Sequence, residues 1–482
     1  MRDCCRVLAL LVLLTALVGC FPALPSDGGG QTEYRPPRQV NTADVALPSG
    51  YRIEVVAQGL SFPTGVTFDD QGRVYVVEAG YAYGEVITTP RLLRVGASGQ
   101  IEVVATGTNP PWNGVTYHEG AFYVAGGTLV GGQISRITLD GQVRPLVQNL
   151  PSFGDHHTNG PVVGPDGLLY FGQGTATNSG VVGPDNADFG WLYRHPRFHD
   201  VPCEDVTLLG RNFTSGNPLT AASGDRATTG AYVPFGTPTT AGQVIPGKVP
   251  CGGAVMRVSP QGGTLEVVAW GFRNPFGLAW SPAGQLYVVE NAYDVRGSRP
   301  VFGSGDVLWH VQPGTWYGWP DFHGVRPLTA EDQYRAPDKP APGFVLKHAT
   351  EPPSPTALLG VHSSSNGMDF SRSPAFGHVG EAFVAQFGDM APGVGKVLSP
   401  VGFKVVRVNV ETGVIEDFAV NRDPHGPASK IGSGGLERPI AARFSPDGSA
   451  LYVVDFGVMT IGEDPQPKKS TGVLWRITRS NG

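Results

Sequence analysis

The chain stops on GVLWRITRSNG (472–482), which reads as the third strand of a β-sheet unit that has no fourth. Near the other end, YRIEVVAQGL (51–60) reads as a strand with no unit of its own, and its text matches IEVVATGTN (101–109), a fourth strand elsewhere in the chain. Two loose ends that complement each other are what a closed ring needs. The early strand can complete the last unit and close the ring, which removes an exposed edge.

Between these ends the same unit recurs. Six segments share a second-strand pattern with Tyr or Phe at the third position: RVYVVE (73–78), AFYVAG (121–126), LLYFGQ (168–173), QLYVVE (285–290), EAFVAQ (381–386) and ALYVVD (450–455). Upstream of most lies a first strand ending in a turn, such as TGVTFDDQG, NGVTYHEG, GPVVGPDG or FGLAWSPAG. Downstream comes a third strand with Arg or Trp near its end, and in several units a fourth. Four antiparallel strands repeated at a spacing near fifty residues are propeller blades, so the fold class is all-β and the architecture a six-bladed β-propeller. Longer gaps mark insertions, the largest at about 175–253 in the third unit, others near 293–305, 323–362 and 387–402. Loops of this kind collect at the ends of the central channel, where ligands bind.

Composition agrees with a turn-rich all-β protein. The 482 residues include 68 Gly and 43 Pro, placed between short runs of Val, Leu, Ile and Tyr. The net charge of −6 and the absence of a Lys/Arg cluster argue against nucleic acid as a partner. The N-terminus reads separately: MRDCCRVLALLVLLTALVGC has a basic start and an apolar run too short for a membrane span, and Leu17-Val18-Gly19-Cys20 resembles a bacterial lipobox. The expectation is a lipoprotein signal peptide over 1–20, lipidation at Cys20, a flexible tether over 21–47 and the propeller over 48–482. An ordinary signal peptide with an incidental cysteine is the alternative. Outside the first twenty residues only Cys203 and Cys251 remain; flanking one long insertion in an exported protein, they point to a disulfide.

First strands line the central channel, so polar residues at their starts face its mouth. Aligning the units on the turn puts HHTNG (156–160), RNPFG (273–277) and ERPIA (437–441) in register, with His156 equivalent to Arg273, and His157 to Asn274 and Arg438. A histidine there serves as a general base near neutral pH, and Arg and Asn orient a polar substrate or stabilise negative charge. The insertion carries Asp185, Asp188, Trp191, His195 and His199, whose order fits no standard metal motif. HSSSNG (362–367) and QFGD (386–389) offer further polar groups to the mouth.

DHHTNGPVVGPDGLLYFGQG (155–174), GFRNPFGLAWSPAGQLYVVENAYD (271–294) and WYGWPDF (316–322) together resemble the quinoprotein glucose and sorbosone dehydrogenases. The resemblance spans most of residues 50–480. It implies an enzyme that oxidises a sugar or related polyol or aldehyde by hydride transfer to pyrroloquinoline quinone (PQQ), assisted by Ca2+, with electrons passing on to an external acceptor. It implies His156 as the base, His157 if the lead-in shifts by one, and Arg273 and Asn274 as contacts to substrate and quinone. It also implies backbone carbonyls of Ala292 and Tyr293 as calcium ligands, beside Asn291 and Asp294. Gly174-Thr175 stands where the glucose enzymes have Gly-Asp supporting the histidine, leaving Asp155 as one candidate for that acid. For the quinone carboxylates the resemblance offers Arg438, with Arg443 and, near the family's lysine, Lys396 or Lys404; Asn113 stands near the place of a family glutamine. A propeller that has lost the cofactor and binds glycans or a partner protein is the competing reading, and one observation that separates the two is quinone binding.

Overall fold

The computed structural model describes residues 34–480 apart from 83–85, 330, 338, 392–394, 396–399 and 462–464. Six four-stranded antiparallel sheets follow one another along the chain. From the channel outward, blade 1 is Pro63–Phe68, Val74–Glu78, Arg91–Val95 and Ile101–Thr106; blade 2 is Trp112–His118, Ala121–Gly126, Gly132–Thr138 and Val143–Leu150. Blade 3 is Thr158–Val163, Leu169–Gln173, Ala254–Val258 and Glu266–Trp270; blade 4 is Asn274–Trp280, Leu286–Asn291, Gly305–His310 and Ala357–Val361. Blade 5 is Ser365–Phe370, Ala382–Gln386, Lys404–Val408 and Ile415–Asn421. Blade 6 is Pro439–Phe444, Ala450–Asp455 and Gly472–Arg479, completed on its outer edge by Tyr51–Leu60 as the loose ends require.

Burial explains the sequence pattern of each strand. Second strands are sandwiched between neighbouring blades and are buried almost throughout, as in AFYVAG and ALYVVD, whereas fourth strands such as IEVVAT face water on most positions. The aromatic at the third position packs across the blade interface, Tyr75 against Phe122 and Tyr287 against Phe370. At the axis the first strands converge on one glycine each: Gly65, Gly114, Gly160, Gly277 and Gly367, with Ala441 at the same place in blade 6. A Cβ on Gly277 would stand 2.1 Å from the Asn366 carbonyl oxygen, and one on Gly114 would stand 2.6 Å from that of Gly160. At Gly277 and Gly114 the close approach of the neighbouring backbone leaves no room for a side chain.

The insertion at 175–253 folds onto the propeller. Its short helices Pro184–Asp188 and Trp191–Arg194 pack in a cluster of their own, Ala187, Trp191 and Leu192 with Val182 and Phe198, while its hairpins share an apolar cluster with the 323–362 insertion, Val206, Leu208 and Tyr232 grouping with Trp319, Tyr334 and Leu346. Buried Arg299 ties the two together, donating to the carbonyls of Ser179, Pro320 and Gly343 and pairing with Asp321 at 2.6 Å. The expected disulfide is present, Cys203 to Cys251 with Cα atoms 5.0 Å apart. The flexible tether is corrected at its C-terminal end. Arg38 is buried against blade 6, its Nη2 2.6 Å from Asp455 and its Nη1 donating to the Thr471 carbonyl, and Val45–Ala46 adds a fifth strand to blade 5 against Val420 and Asn421. Composition misses this because the docking rests on scattered long-range contacts: the Arg38 ion pair, hydrogen bonds of Arg38, Asn41 and Asp44 to residues 434–471, and two ladder residues. Residues 1–33, with the signal peptide and Cys20, lie outside the described residues.

Candidate functional site

A cavity of about 300 Å³ opens at the end of the channel where the first strands begin. The residue just before each central glycine or alanine lines it, giving Thr64, Asn113, Asn159, Phe276, Asn366 and Ile440, one from each blade. Four of these are polar, and the amides join into a chain. Asn113 Nδ2 donates to Asn159 Oδ1 (3.4 Å), Asn159 to Asn274 (2.9 Å), Asn274 to Asn291 (2.9 Å), and Asn291 to the Ser365 carbonyl (2.7 Å). Amide orientations along this chain are set by the network itself. Asn159 and Asn366 were not among the residues singled out from sequence, although the repeat carries the signal: the position before the axial glycine faces the mouth in every blade.

His156 and His157 both line the cavity, as do Arg273 and Asn274. His156 Nδ1 lies 2.9 Å from the Thr175 carbonyl oxygen and 3.2 Å from Thr175 Oγ1. That hydroxyl donates its own proton to the Thr177 carbonyl (2.8 Å), so towards the imidazole it only accepts. Two acceptors on Nδ1 require the proton there, and Nε2 keeps the lone pair. Burial, then Arg273 and Arg296, hold the His156 pKa well below the ordinary value, so the ring is a neutral base at physiological pH. His157 is packed edge-on against Tyr81 and Trp191, its Nδ1 3.5 Å from Ser152 Oγ, and burial lowers it to about 4. It is a wall of the cavity.

The equivalent lead-in of blade 4 is pinned by the acid that ends the second strand. Arg273 N–H donates to Glu290 Oε1, whose other oxygen accepts from Trp309 Nε1 at 2.6 Å. In blade 6 Asp455 does the same for Glu437 and Arg438 N–H and accepts from Trp475 Nε1. Burial pushes Glu290 up to about 7. The Arg273 guanidinium is fixed by Asn178 and by Asp294 (2.7 Å), and Asp294 in turn pairs with Arg296, which reaches Asp155 (2.8 Å) and Asp185 (2.7 Å). Asp155 therefore serves Arg296 and Asn186 rather than the imidazole. Asp185 is likewise part of this network; His195 packs on Phe153 and Trp191, and His199 Nδ1 lies 2.9 Å from the Arg197 carbonyl oxygen.

Other expected cofactor contacts fall elsewhere. Arg438 is fully buried with its guanidinium between the rings of Phe387 and Phe403, donating to the carbonyls of Phe387, Gly388 and Asp389, and it does not line the cavity. The register of blade 6 is as expected, but Phe387 covers the side chain. Lys404 pairs with Asp417 at 2.6 Å, and Arg443 lies 3.8 Å from Asp369, both away from the cavity. Lys396 lies outside the described residues. Ala292 lines the cavity, its N–H held by Asp306, whereas the Tyr293 carbonyl accepts from Ser304 Oγ (3.1 Å) and its ring is in the core. His362, Ser364 and Gly388 join the lining, and Asp389 is turned to the backbone N–H groups of Ala391 and Val401.

The cavity has two faces. Blades 3 and 4 and the first insertion present His156, Arg273, Arg296 and the carboxylates of Asp155, Asp185, Asp188, Asp294 and Asp306; blades 5, 6 and 1 present Phe387, Met390, Ile440, Phe456, Met459 and Ala79 beside the polar Thr64, His362, Ser364 and Asn366. Five carboxylates against two guanidiniums make the polar face acidic, a field that favours a cation, while among the described residues no group of three or more His, Cys, Asp or Glu side chains is set to hold a metal ion. The apolar residues suit an aromatic ring system. The acidic field thus suits a cation held largely by backbone oxygens, and the apolar lining suits the ring plane of a group such as PQQ.

No protein-family model matches the chain, and no curated protein sequence matches it. Solved structures do. The PQQ domain of a pyranose dehydrogenase from Coprinopsis cinerea is 18% identical with a TM-score of 0.55, covering 92% of this chain and 98% of that one. The PQQ-bound aldose sugar dehydrogenase of Streptomyces coelicolor is 16% identical (TM-score 0.51; 90% and 100% covered), and the soluble aldose sugar dehydrogenase of Escherichia coli in its apo form is 15% identical (0.51; 89% and 100%). The chain thus has the six-bladed propeller fold on which these sugar dehydrogenases are built.

Proposed function

We propose that the protein is a quinone-dependent oxidoreductase that oxidises a hydroxyl-bearing small molecule, a sugar or related polyol or aldehyde, in the cavity at the channel mouth. One observation carries this reading: a buried, neutral His156 with its proton fixed on Nδ1 and its Nε2 lone pair left for a ligand, beside Arg273 and Asn274. His156 Nε2 takes the proton of the substrate hydroxyl. Arg273, held rigid by Asp294 and Asn178, and the amide chain through Asn274 orient the oxygen and stabilise the negative charge that develops on it. Bound PQQ with calcium supplies the two-electron acceptor, and an external acceptor then reoxidises it. The Ala292 carbonyl and the Asp294 and Asp306 carboxylates are the oxygens on hand for the ion. In this reading residues 1–20 are an export signal and Cys20 a lipid anchor outside the cytoplasm, a setting with which the Cys203–Cys251 disulfide agrees. Cys20→Ser should move it from the membrane fraction to the soluble fraction.

Titrating the full chain with PQQ and Ca2+, while following the quinone absorbance and dye reduction with an aldose panel, tests the reading. Binding at micromolar quinone with turnover is expected; no binding overturns it. His156→Ala should lower turnover by about 10²–10⁴-fold. His157→Ala should retain turnover within about tenfold, and the reverse result would exchange the two roles.

A binding propeller without the cofactor is favoured by one observation. Arg438, Lys404 and Arg443 all lie away from the cavity, and both lining arginines are already paired with carboxylates. That reading predicts ligand binding that is indifferent to the quinone.

A further inference from the structure

Thr175 occupies the place where a carboxylate would orient the imidazole, and the work falls to its main-chain carbonyl. A carbonyl oxygen orients a ring only as well as its peptide is held. Thr175 N–H donates to the Arg273 carbonyl at 2.9 Å, which fixes one side of the residue. The other side is held by Asp155 N–H, which donates to the Ala176 carbonyl at 3.0 Å, and by one carboxylate from deep in the insertion. Asp200 Oδ1 accepts from Ala176 N–H (2.7 Å) and Thr177 N–H (3.2 Å), and Asp200 Oδ2 accepts from the Thr177 hydroxyl (2.5 Å). Thr177 Oγ1 accepts in turn from Gly180 N–H, and its carbonyl takes the Thr175 hydroxyl proton that fixes the imidazole tautomer.

Asp200 is itself buried and held in place. The next residue, Val201, accepts from Gly252 N–H at 2.9 Å, and the disulfide from Cys203 to Cys251 closes the same pair of segments. The carboxylate thus sits between a covalent tie to blade 3 and the three-residue loop that contacts His156. Asp200 does not line the cavity.

We propose that Asp200 is a positioning residue for His156: by gathering three donors of residues 176 and 177 it holds the Thr175 carbonyl on Nδ1, and so does at one remove what a directly bonded carboxylate does elsewhere. The proposal rests on the reading of His156 as the base. Burial raises Asp200 to about 7, the cost of placing an acid there for a local task.

The test uses the full chain labelled with ¹⁵N-histidine, so that long-range ¹H–¹⁵N spectra report the His156 tautomer without any turnover. The wild-type protein should show a single Nδ1–H form. Asp200→Ala should give a mixture of tautomers and lower kcat by about 10-fold or more with KM within about twofold, since no ligand contact is lost. Asp200→Asn keeps an acceptor for the two amides and loses the one for the Thr177 hydroxyl, so it should fall between the two; it also decides the matter if Asp200→Ala does not fold. A folded variant with an unchanged Nδ1–H signal and unchanged kcat overturns the proposal. If instead the tautomer depends on Asp200 while His156→Ala keeps its turnover, the positioning stands and the assignment of the base falls.

Discussion

Blades 2 and 3 follow one plan as far as the axial glycine, Gly114 in one and Gly160 in the other, and then diverge. In blade 2 the second and third strands are joined by residues 127–131, and Asn109, from the lead-in of the same blade, accepts the N–H groups of Thr128, Leu129 and Val130 on its Oδ1. In blade 3 the connection is residues 174–253, and Asp200 inside that insertion takes over the corresponding loop. Asp155, which stands where Asn109 stands, is then free to join the Arg296 network, and the next two positions hold His156 and His157 where blade 2 has Pro110 and Pro111. A plain blade holds its loop with its own lead-in. In blade 3 the lead-in holds the loop through its backbone only, the side-chain role passes to Asp200 from outside, and the lead-in side chains become available to the cavity.

This contrast can be broken most severely at the disulfide. Cys203→Ser with Cys251→Ser should lower stability by about 4 kcal/mol in the chain-entropy picture for a closed loop of this length. Urea unfolding measures it, and amide exchange should show the protection lost from the 175–253 insertion while blade 2 keeps its own.

The next effect is on pH dependence. His157 titrates near 4 in the fold and near 6.5 when unfolded, so the unfolded chain binds its proton first as pH falls. The stabilisation is complete above about pH 6.5 and is lost on descending to about pH 4, a contribution of about 3 kcal/mol. His157→Gln should remove that part of the acid sensitivity, read as the difference between the two unfolding curves at pH 7 and pH 4. The acid limb of kcat/KM should lie well below pH 6.5, because His156 stays neutral there. The smallest effect belongs to blade 2. Asn109→Ala leaves the Leu129 and Val130 N–H groups without their acceptor, Thr128 keeping the Pro110 carbonyl, and should cost about 1–3 kcal/mol, yet turnover should stay within about twofold. A large loss of turnover there would mean that the two blades do not divide the work as described.

Much of the fold was legible because its signals are local and repeated. The aromatic at the third position of each second strand, the Pro-Asp-Gly type turns and the two complementary ends gave six blades and their closure, and the two cysteines gave the disulfide. The register of the lead-ins also brought His156, His157, Arg273 and Asn274 to one cavity as expected. Arg438 shows the limit: its backbone is where the register places it, but Phe387 and Phe403 enclose the side chain. Residues 38–47 show another, since a Pro- and polar-rich stretch gives no sign that Arg38 ends beside Asp455.

The sequence alone determined the number of blades, the strand that closes the ring and the edge of the channel where polar groups gather, because alternation, turn chemistry and axial glycines act over a few residues at a time. Only the tertiary structure decided which groups meet. Whether Nδ1 or Nε2 of His156 carries the proton depends on Thr175, Thr177 and Asp200, and the charge on the cavity depends on how Asp294 and Arg296 are shared. Those contacts join segments far apart in the chain, through side-chain geometry that no local pattern encodes.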